Sequence, residues 1–125
     1  MSQDSQDQGV IQVLLERYAK DASVRALVDS LEIWCVPLVN VDGNARYIHH
    51  TRDYDRKNGL DVEGDGDVDG WDGVDLYRNY PVRWGGLGEV GSRSNPFHYR
   101  YRGPAAGSEP EIRAMMALAE RERFV

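Results

Sequence analysis

Along the first half of the chain the apolar positions change period three times. Met1-Ser2-Gln3-Asp4-Ser5-Gln6-Asp7-Gln8 is polar and acidic with no apolar spacing, so residues 1–9 are expected to form a disordered tail. From Val10 onward, Val10, Ile11, Val13, Leu14, Leu15 and Tyr18 recur at helical spacing, which predicts a helix ending near Lys20. Asp21-Ala22-Ser23 then restarts a second short helix. Val24, Leu27, Val28 and Leu31 line its apolar face, with Asp21 or Ser23 as its cap. Between Leu31 and Asn40 the helical period disappears. Ile33, Trp34, Cys35, Val36, Leu38 and Val39 make a nearly continuous apolar run, the pattern of a strand buried on both faces. Pro37 removes one ladder donor and places an edge or an irregularity there.

Residues 41–107 carry little periodicity but hold most of the glycines and aromatics. So long an irregular stretch inside a domain is usually functional. Order returns at Ser108-Glu109-Pro110-Glu111, which reads as a cap followed by acids and a proline in a first helical turn. Ile112, Met115, Met116 and Ala119 give that helix one apolar face to about Arg123, with Arg121 and Arg123 suiting its C-terminal end. The order helix, helix, strand, long loop, helix places the chain in the α/β class. A single strand makes no sheet, so the predicted domain is incomplete and calls for a partner.

Charge changes this picture in one place. The chain has 125 residues, room for one small domain over 10–125. Its formal net charge is −6, and it becomes +1 once Asp61, Glu63, Asp65, Asp67, Asp69, Asp72 and Asp75 are set aside. The acidity is one loop on a nearly neutral body, which argues against a nucleic-acid partner and points to a cation. Residues 61–72 have the spacing of an inserted calcium-type loop. Asp61, Glu63 and Asp65 stand at loop positions one, three and five, and Gly66 at the sharp turn. Asp67 offers its carbonyl, Asp69 stands at position nine and Asp72 closes position twelve. A register starting at Asp65 has a cleaner opening but ends on Leu76. Two readings of the loop stay open, a calcium site and a solvated acidic turn, and crowding of like charges favours the ion. The loop resembles the single calcium loops of dockerin modules.

Cys35 is the single cysteine, so no internal disulfide forms, and its apolar neighbours predict a buried core residue. No run of about 18 apolar residues occurs, so nothing is expected to span a membrane. The polar start does not read as a signal peptide. His49 and His50 are expected to face solvent, and His98, within Phe97-His98-Tyr99-Arg100-Tyr101, to pack among aromatics.

Several short segments together carry more weight than any one. They are Asn40-Val41-Asp42-Gly43, Arg56-Lys57-Asn58, Gly73-Val74-Asp75-Leu76-Tyr77-Arg78-Asn79-Tyr80, Gly91-Ser92-Arg93-Ser94-Asn95-Pro96, Tyr101-Arg102-Gly103-Pro104 and Ser108-Glu109-Pro110-Glu111. In this order and spacing the chain resembles the zinc carboxypeptidase family of metallopeptidases over roughly residues 10–124. The resemblance implies an α/β/α sandwich around a mixed sheet, of which this chain is a loop-rich part. It implies hydrolysis of C-terminal residues from peptides, with the peptide C-terminus as substrate and zinc as cofactor.

The family's His-x-x-Glu pair, later histidine and catalytic glutamate have no counterpart here, so the chain is expected to lack the zinc ligands and general base and to be inactive alone. The missing halves of the domain are then its expected partners. By the same resemblance, Arg56 polarises the scissile carbonyl and stabilises the oxyanion. Arg78 grips the substrate's terminal carboxylate with its planar fork. Tyr77 stands where the family carries an asparagine that donates to the same carboxylate. It is expected to reshape or fill that pocket. From another class, the alternatives are a non-catalytic calcium-binding or peptide-carboxylate-binding module, or a degenerate segment without a function of its own.

Overall fold

The computed structural model describes residues 3–49, 56–69 and 71–124, with side chains from Gly9 onward. The chain divides into two units, one through Val39 and one from Asn40.

In the first unit, α1 (Gln3–Tyr18) packs against α2 (Ala22–Ser30). Helix α1 starts at Gln3, so most of the segment expected as a disordered tail is helical. Glutamine is a good helix former, and a polar stretch can extend a helix nucleated by the apolar turns after it. The corner between the helices is held by polar contacts. Asp21 caps α2, its Oδ1 accepting from the amides of Ser23 at 2.9 Å and Val24 at 3.4 Å. The Tyr18 hydroxyl donates to Asp29 at 2.7 Å, and that bond raises the phenol's pKa. Arg25 Nη2 donates to the Ala19 carbonyl at 2.9 Å, satisfying an acceptor left over at the end of α1.

Leu31–Asn40, expected as a buried strand, forms no ladder, and the described residues contain no strand at all. Ile33 and Trp34 are each 42% exposed and Cys35 is exposed, so the expectation of a buried cysteine is corrected as well. A strand needs neighbours to pair its amides and cover its side chains.

Among the described residues of the second unit, the buried apolar side chains are Val74, Leu76, Tyr101 and Ile112. Its elements are α3 (Val41–Ile48), α4 (Leu76–Asn79), α5 (Gly88–Gly91) and α6 (Pro110–Glu122), and α4 packs on α6. Helix α6 ends close to the expected Arg123 but begins at Pro110, two residues after the expected start at Ser108. Ser108 does not cap it. The Ser108 hydroxyl instead donates to Glu109 at 2.7 Å and accepts from Asn79 at 2.9 Å. Helix α3 lies in the stretch expected to be irregular.

So small an apolar core is supplemented by buried polar groups that satisfy one another. Asn58 Oδ1 accepts from the Val74 amide at 2.8 Å, while Nδ2 donates to Glu109 at 2.7 Å. Asn79 Nδ2 reaches the carbonyls of Arg102 at 2.9 Å and Ala105 at 3.1 Å, and its Oδ1 accepts from the Glu109 amide at 3.1 Å. Two isolated bridges, Lys57 with Asp75 and Arg93 with Tyr101, complete the framework.

Candidate functional site

Arginine 56 enters the site on a backbone that is pinned from three sides. Asn40 caps α3 by accepting from the Gly43 amide at 3.0 Å, and its Nδ2 donates to the carbonyls of Arg56 and Lys57, both at 3.2 Å. Arg46 Nη2 donates to the carbonyls of Lys57 at 3.0 Å and Asn58 at 2.7 Å. Asp42 accepts from the Gly59 amide at 3.0 Å. The Asn40-Val41-Asp42-Gly43 segment therefore works as a bracket for the arginine loop. Lys57 is buried, its ammonium donating to the Trp71 and Pro96 carbonyls, so it ties that loop to the next two segments.

Arginine 78 sits on α4, whose N-cap is Asp75. Asp75 is fully buried. Its amide donates to the Tyr101 carbonyl at 2.8 Å, and one carboxylate oxygen accepts from the Tyr77 amide at 3.2 Å. The other oxygen, Oδ2, lies 3.7 Å from Arg56 Nε and 3.7 Å from Arg78 Nε. The two arginines expected to act together are thus brought to one carboxylate, and their side chains remain 44% and 37% exposed. Tyr77 joins them, with the Arg56 guanidinium 5.6 Å from its ring centroid, a cation–π contact. Burial pushes the Asp75 carboxyl above its ordinary value, while Arg56 and then Arg78 pull it back.

The sequence singles out Arg56, Arg78 and Tyr77 as candidates, whereas Asp75 stands there as loop charge and as part of the Gly73–Tyr80 motif, with no role of its own. The available signal was its position directly before a short helix that carries one of the arginines, where a carboxylate caps. Asn58 and Asn79, which hold this region from behind, were also missed as functional supports. Their place inside the motifs was the only hint.

The acidic loop is built differently. Asp61 accepts from the Gly64 amide at 2.5 Å and the Gly66 amide at 2.9 Å. Asp65 accepts from the Asp67 amide at 2.9 Å, Asp67 from Val68 at 2.9 Å and Asp69 from Trp71 at 2.7 Å. Asp72 accepts from Val62 at 2.8 Å and Asp69 at 3.0 Å. The structure does not gather Asp61, Glu63, Asp65, Asp67, Asp69 and Asp72 around one point. Among the described residues no three His, Cys, Asp or Glu side chains are placed to hold a metal. The physical reason is that these aspartates turn toward the loop's own amides, a common role for Asp in turns. Glu63 has its pKa raised, by desolvation first and then by Asp72, Asp65, Asp69 and Asp61.

His49 is exposed, and His50 lies outside the described residues. His98 is half-buried and stacked on Tyr99 at 4.5 Å between centroids. No described helix is long and apolar enough to cross a membrane.

A family model described as zinc carboxypeptidase matches residues 6–125. Metallocarboxypeptidase A of Arthroderma otae is 40% identical over 103 residues, 82% of this chain and 22% of that protein. Metallocarboxypeptidase A of Trichophyton tonsurans is 37% identical over 108 residues, covering 86% of this chain and 24% of that protein. Among solved structures, thrombin activatable fibrinolysis inhibitor matches with a TM-score of 0.76 at 25% identity, over 96% of this chain and 28% of that chain.

The chain belongs to the zinc carboxypeptidase family. It spans about a quarter of the length of the curated relatives it matches. Zinc is typical of the family, and the described residues do not fit a zinc ion.

Proposed function

We propose that this chain is the substrate-gripping segment of a carboxypeptidase-like protein that removes C-terminal residues from peptides. Arg78 holds the terminal carboxylate of the peptide, and Arg56 faces the carbonyl of the bond to be cut. A guanidinium beside an oxygen that gains negative charge lowers the barrier to attack. Tyr77 takes the place of an amide donor and, stacked on Arg56, narrows the space between the two arginines. The observation that carries this reading is the convergence of Arg56 and Arg78 on Asp75, each Nε 3.7 Å from the same oxygen, with both side chains open to solvent.

The mixed sheet of the family's α/β/α sandwich belongs to this proposal. Leu31–Asn40 would pair with strands from the rest of the domain, a reading supported by the exposed Ile33 and Trp34. By itself the chain is proposed to be inactive, and zinc-dependent peptide hydrolysis by the purified chain would overturn that statement. The gripping role is tested by calorimetry with acetyl-trialanine as its free acid and as its C-terminal amide. The free acid is expected to bind, the amide to bind far more weakly, and Arg78→Ala to erase the difference. Equal binding of acid and amide removes the reading.

Calcium binding at residues 61–72 stands as a second reading. Glu63, its pKa raised first by desolvation and then by Asp72, Asp65, Asp69 and Asp61, lies among carboxylates whose repulsion an incoming cation would relieve. Binding would require the aspartates to leave their amide partners. A calcium titration without heat removes it.

A further inference from the structure

Asp75 is held more firmly than either arginine it faces. Its amide donates to the Tyr101 carbonyl at 2.8 Å, and its own carbonyl accepts from the Arg78 amide at 2.8 Å. It forms the isolated bridge with Lys57, and its side chain is 0% exposed. The two carboxylate oxygens do different things. One caps α4 through the Tyr77 amide at 3.2 Å. The other, Oδ2, faces Arg56 Nε and Arg78 Nε at 3.7 Å each. That separation is an ion pair and not a hydrogen bond. Among the described residues neither Oδ2 nor Arg78 Nε has a hydrogen-bond partner, although both are buried.

A buried carboxylate is costly unless it is compensated, and two guanidinium groups supply the compensation. The same contact works in the other direction. Two arginines with Nε atoms at most twice 3.7 Å apart repel each other, and a negative oxygen between them holds them together. We propose that Asp75 is a positioning residue that sets the spacing and headings of Arg56 and Arg78, so that Arg78 meets the terminal carboxylate while Arg56 meets the neighbouring carbonyl. This inference rests on the carboxylate-gripping reading above.

A mere counter-charge and a positioning charge give opposite results when Asp75 is neutralised. Taking one negative charge from beside an anion site strengthens anion binding if charge is all that matters. It weakens binding if the arginines lose their alignment. Asp75→Asn separates the two outcomes: asparagine caps a helix as well as aspartate does, while the charge and the acceptor facing the arginines, replaced by an NH2 donor, are lost.

The experiment is calorimetry on the full 125-residue chain with acetyl-trialanine free acid and its amide. Asp75→Asn is expected to bind the free acid roughly tenfold more weakly, the size of a lost charge-assisted contact. Asp75→Glu, which restores the charge on a longer arm, is expected to recover part of the loss. Equal or tighter binding by Asp75→Asn overturns the inference and leaves the gripping reading standing. A wild-type chain that does not distinguish acid from amide removes both.

A second measurement leaves Asp75 in place and covers the case in which Asp75→Asn does not fold. In Arg56→Ala, Oδ2 is free to close on Arg78, and the Arg78 Nε–H proton resonance is expected to move downfield. An unmoved Arg78 resonance overturns the shared-carboxylate arrangement.

Discussion

Gly66 and Gly73 share a φ of +88°, yet they lie in regions held together in opposite ways. Gly66 belongs to the acidic loop, where each aspartate binds amides of the same loop and the residues are mostly exposed. Gly73 belongs to the scaffold behind the arginines. A Cβ at Gly73 would meet the Asn58 carbonyl oxygen at 2.1 Å, while one at Gly66 would meet nothing within 4 Å. A left-handed backbone conformation therefore identifies a turn in both places, and only the surroundings say whether the turn is part of the site. Local contacts shape the loop, and contacts distant in sequence shape the surroundings of the two arginines.

The comparison predicts the largest effect at Gly73. Gly73→Ala combines left-handed strain with a backbone overlap and is expected to cost about 4 kcal/mol. In a chain held by a small core that loss should abolish a cooperative urea transition. A transition midpoint within experimental error of the parent chain would show that the close approach is not maintained.

Asn58→Ala is expected to come next. It strips the Val74 amide of its acceptor and Glu109 of its 2.7 Å donor, both in buried surroundings. The expected loss is about 3 kcal/mol, since each unsatisfied buried group is costly. If the urea midpoint hardly moves, water has replaced the asparagine and the scaffold is open to solvent.

Gly66→Ala repeats the φ penalty of Gly73 without the overlap. About 1 kcal/mol is expected, from the left-handed conformation alone. A loss as large as that of Gly73→Ala would erase the distinction between the two regions. The free-acid peptide should bind to Gly66→Ala as it does to the parent.

The same division explains what could be read from the chain. Helix α6 was legible because its start signal, Ser108-Glu109-Pro110-Glu111, and its apolar face through Ile112 are encoded within a few residues, although Ser108 does not cap it. The cap of α2 was narrowed to Asp21 or Ser23 for the same reason, and Asp21 takes it. Helix α3 was not, because Gly43 and Asn44 weaken its local pattern and it is held by partners such as Lys57, Asn58 and Gly59. Leu31–Asn40 shows the converse. Its apolar run states a preference for a sheet that this chain alone does not realise. The arginines were placed through resemblance of motifs. The buried asparagines and the carboxylate joining the arginines were not, since in sequence Asn and Asp read as surface residues.

The smallest effect is also the one that sets the two regions in opposite directions. Asp72 and Asp75 are three residues apart, and their carboxyls are shifted in opposite senses. Asp72 is lowered, chiefly by the hydrogen bond from the Val62 amide. Asp75 is raised, chiefly by burial. A lowered carboxyl contributes stability that is complete above its ordinary value, about 3.9, and is lost as pH falls through the lower folded value. For the raised carboxyl the sign reverses. Its contribution is greatest in acid and declines as pH rises from the ordinary value through the higher folded one. Acidification should therefore release the Val62 and Asp69 amides from Asp72 while the buried Asp75 takes up its proton without expulsion. Amide resonances followed down in pH should show Tyr77, bonded to Asp75, responding first and Val62 and Asp69 later, at lower pH. Simultaneous shifts with one midpoint would mean that the loop and the surroundings of the two arginines are a single electrostatic unit, and the boundary drawn between Gly66 and Gly73 would have to be abandoned.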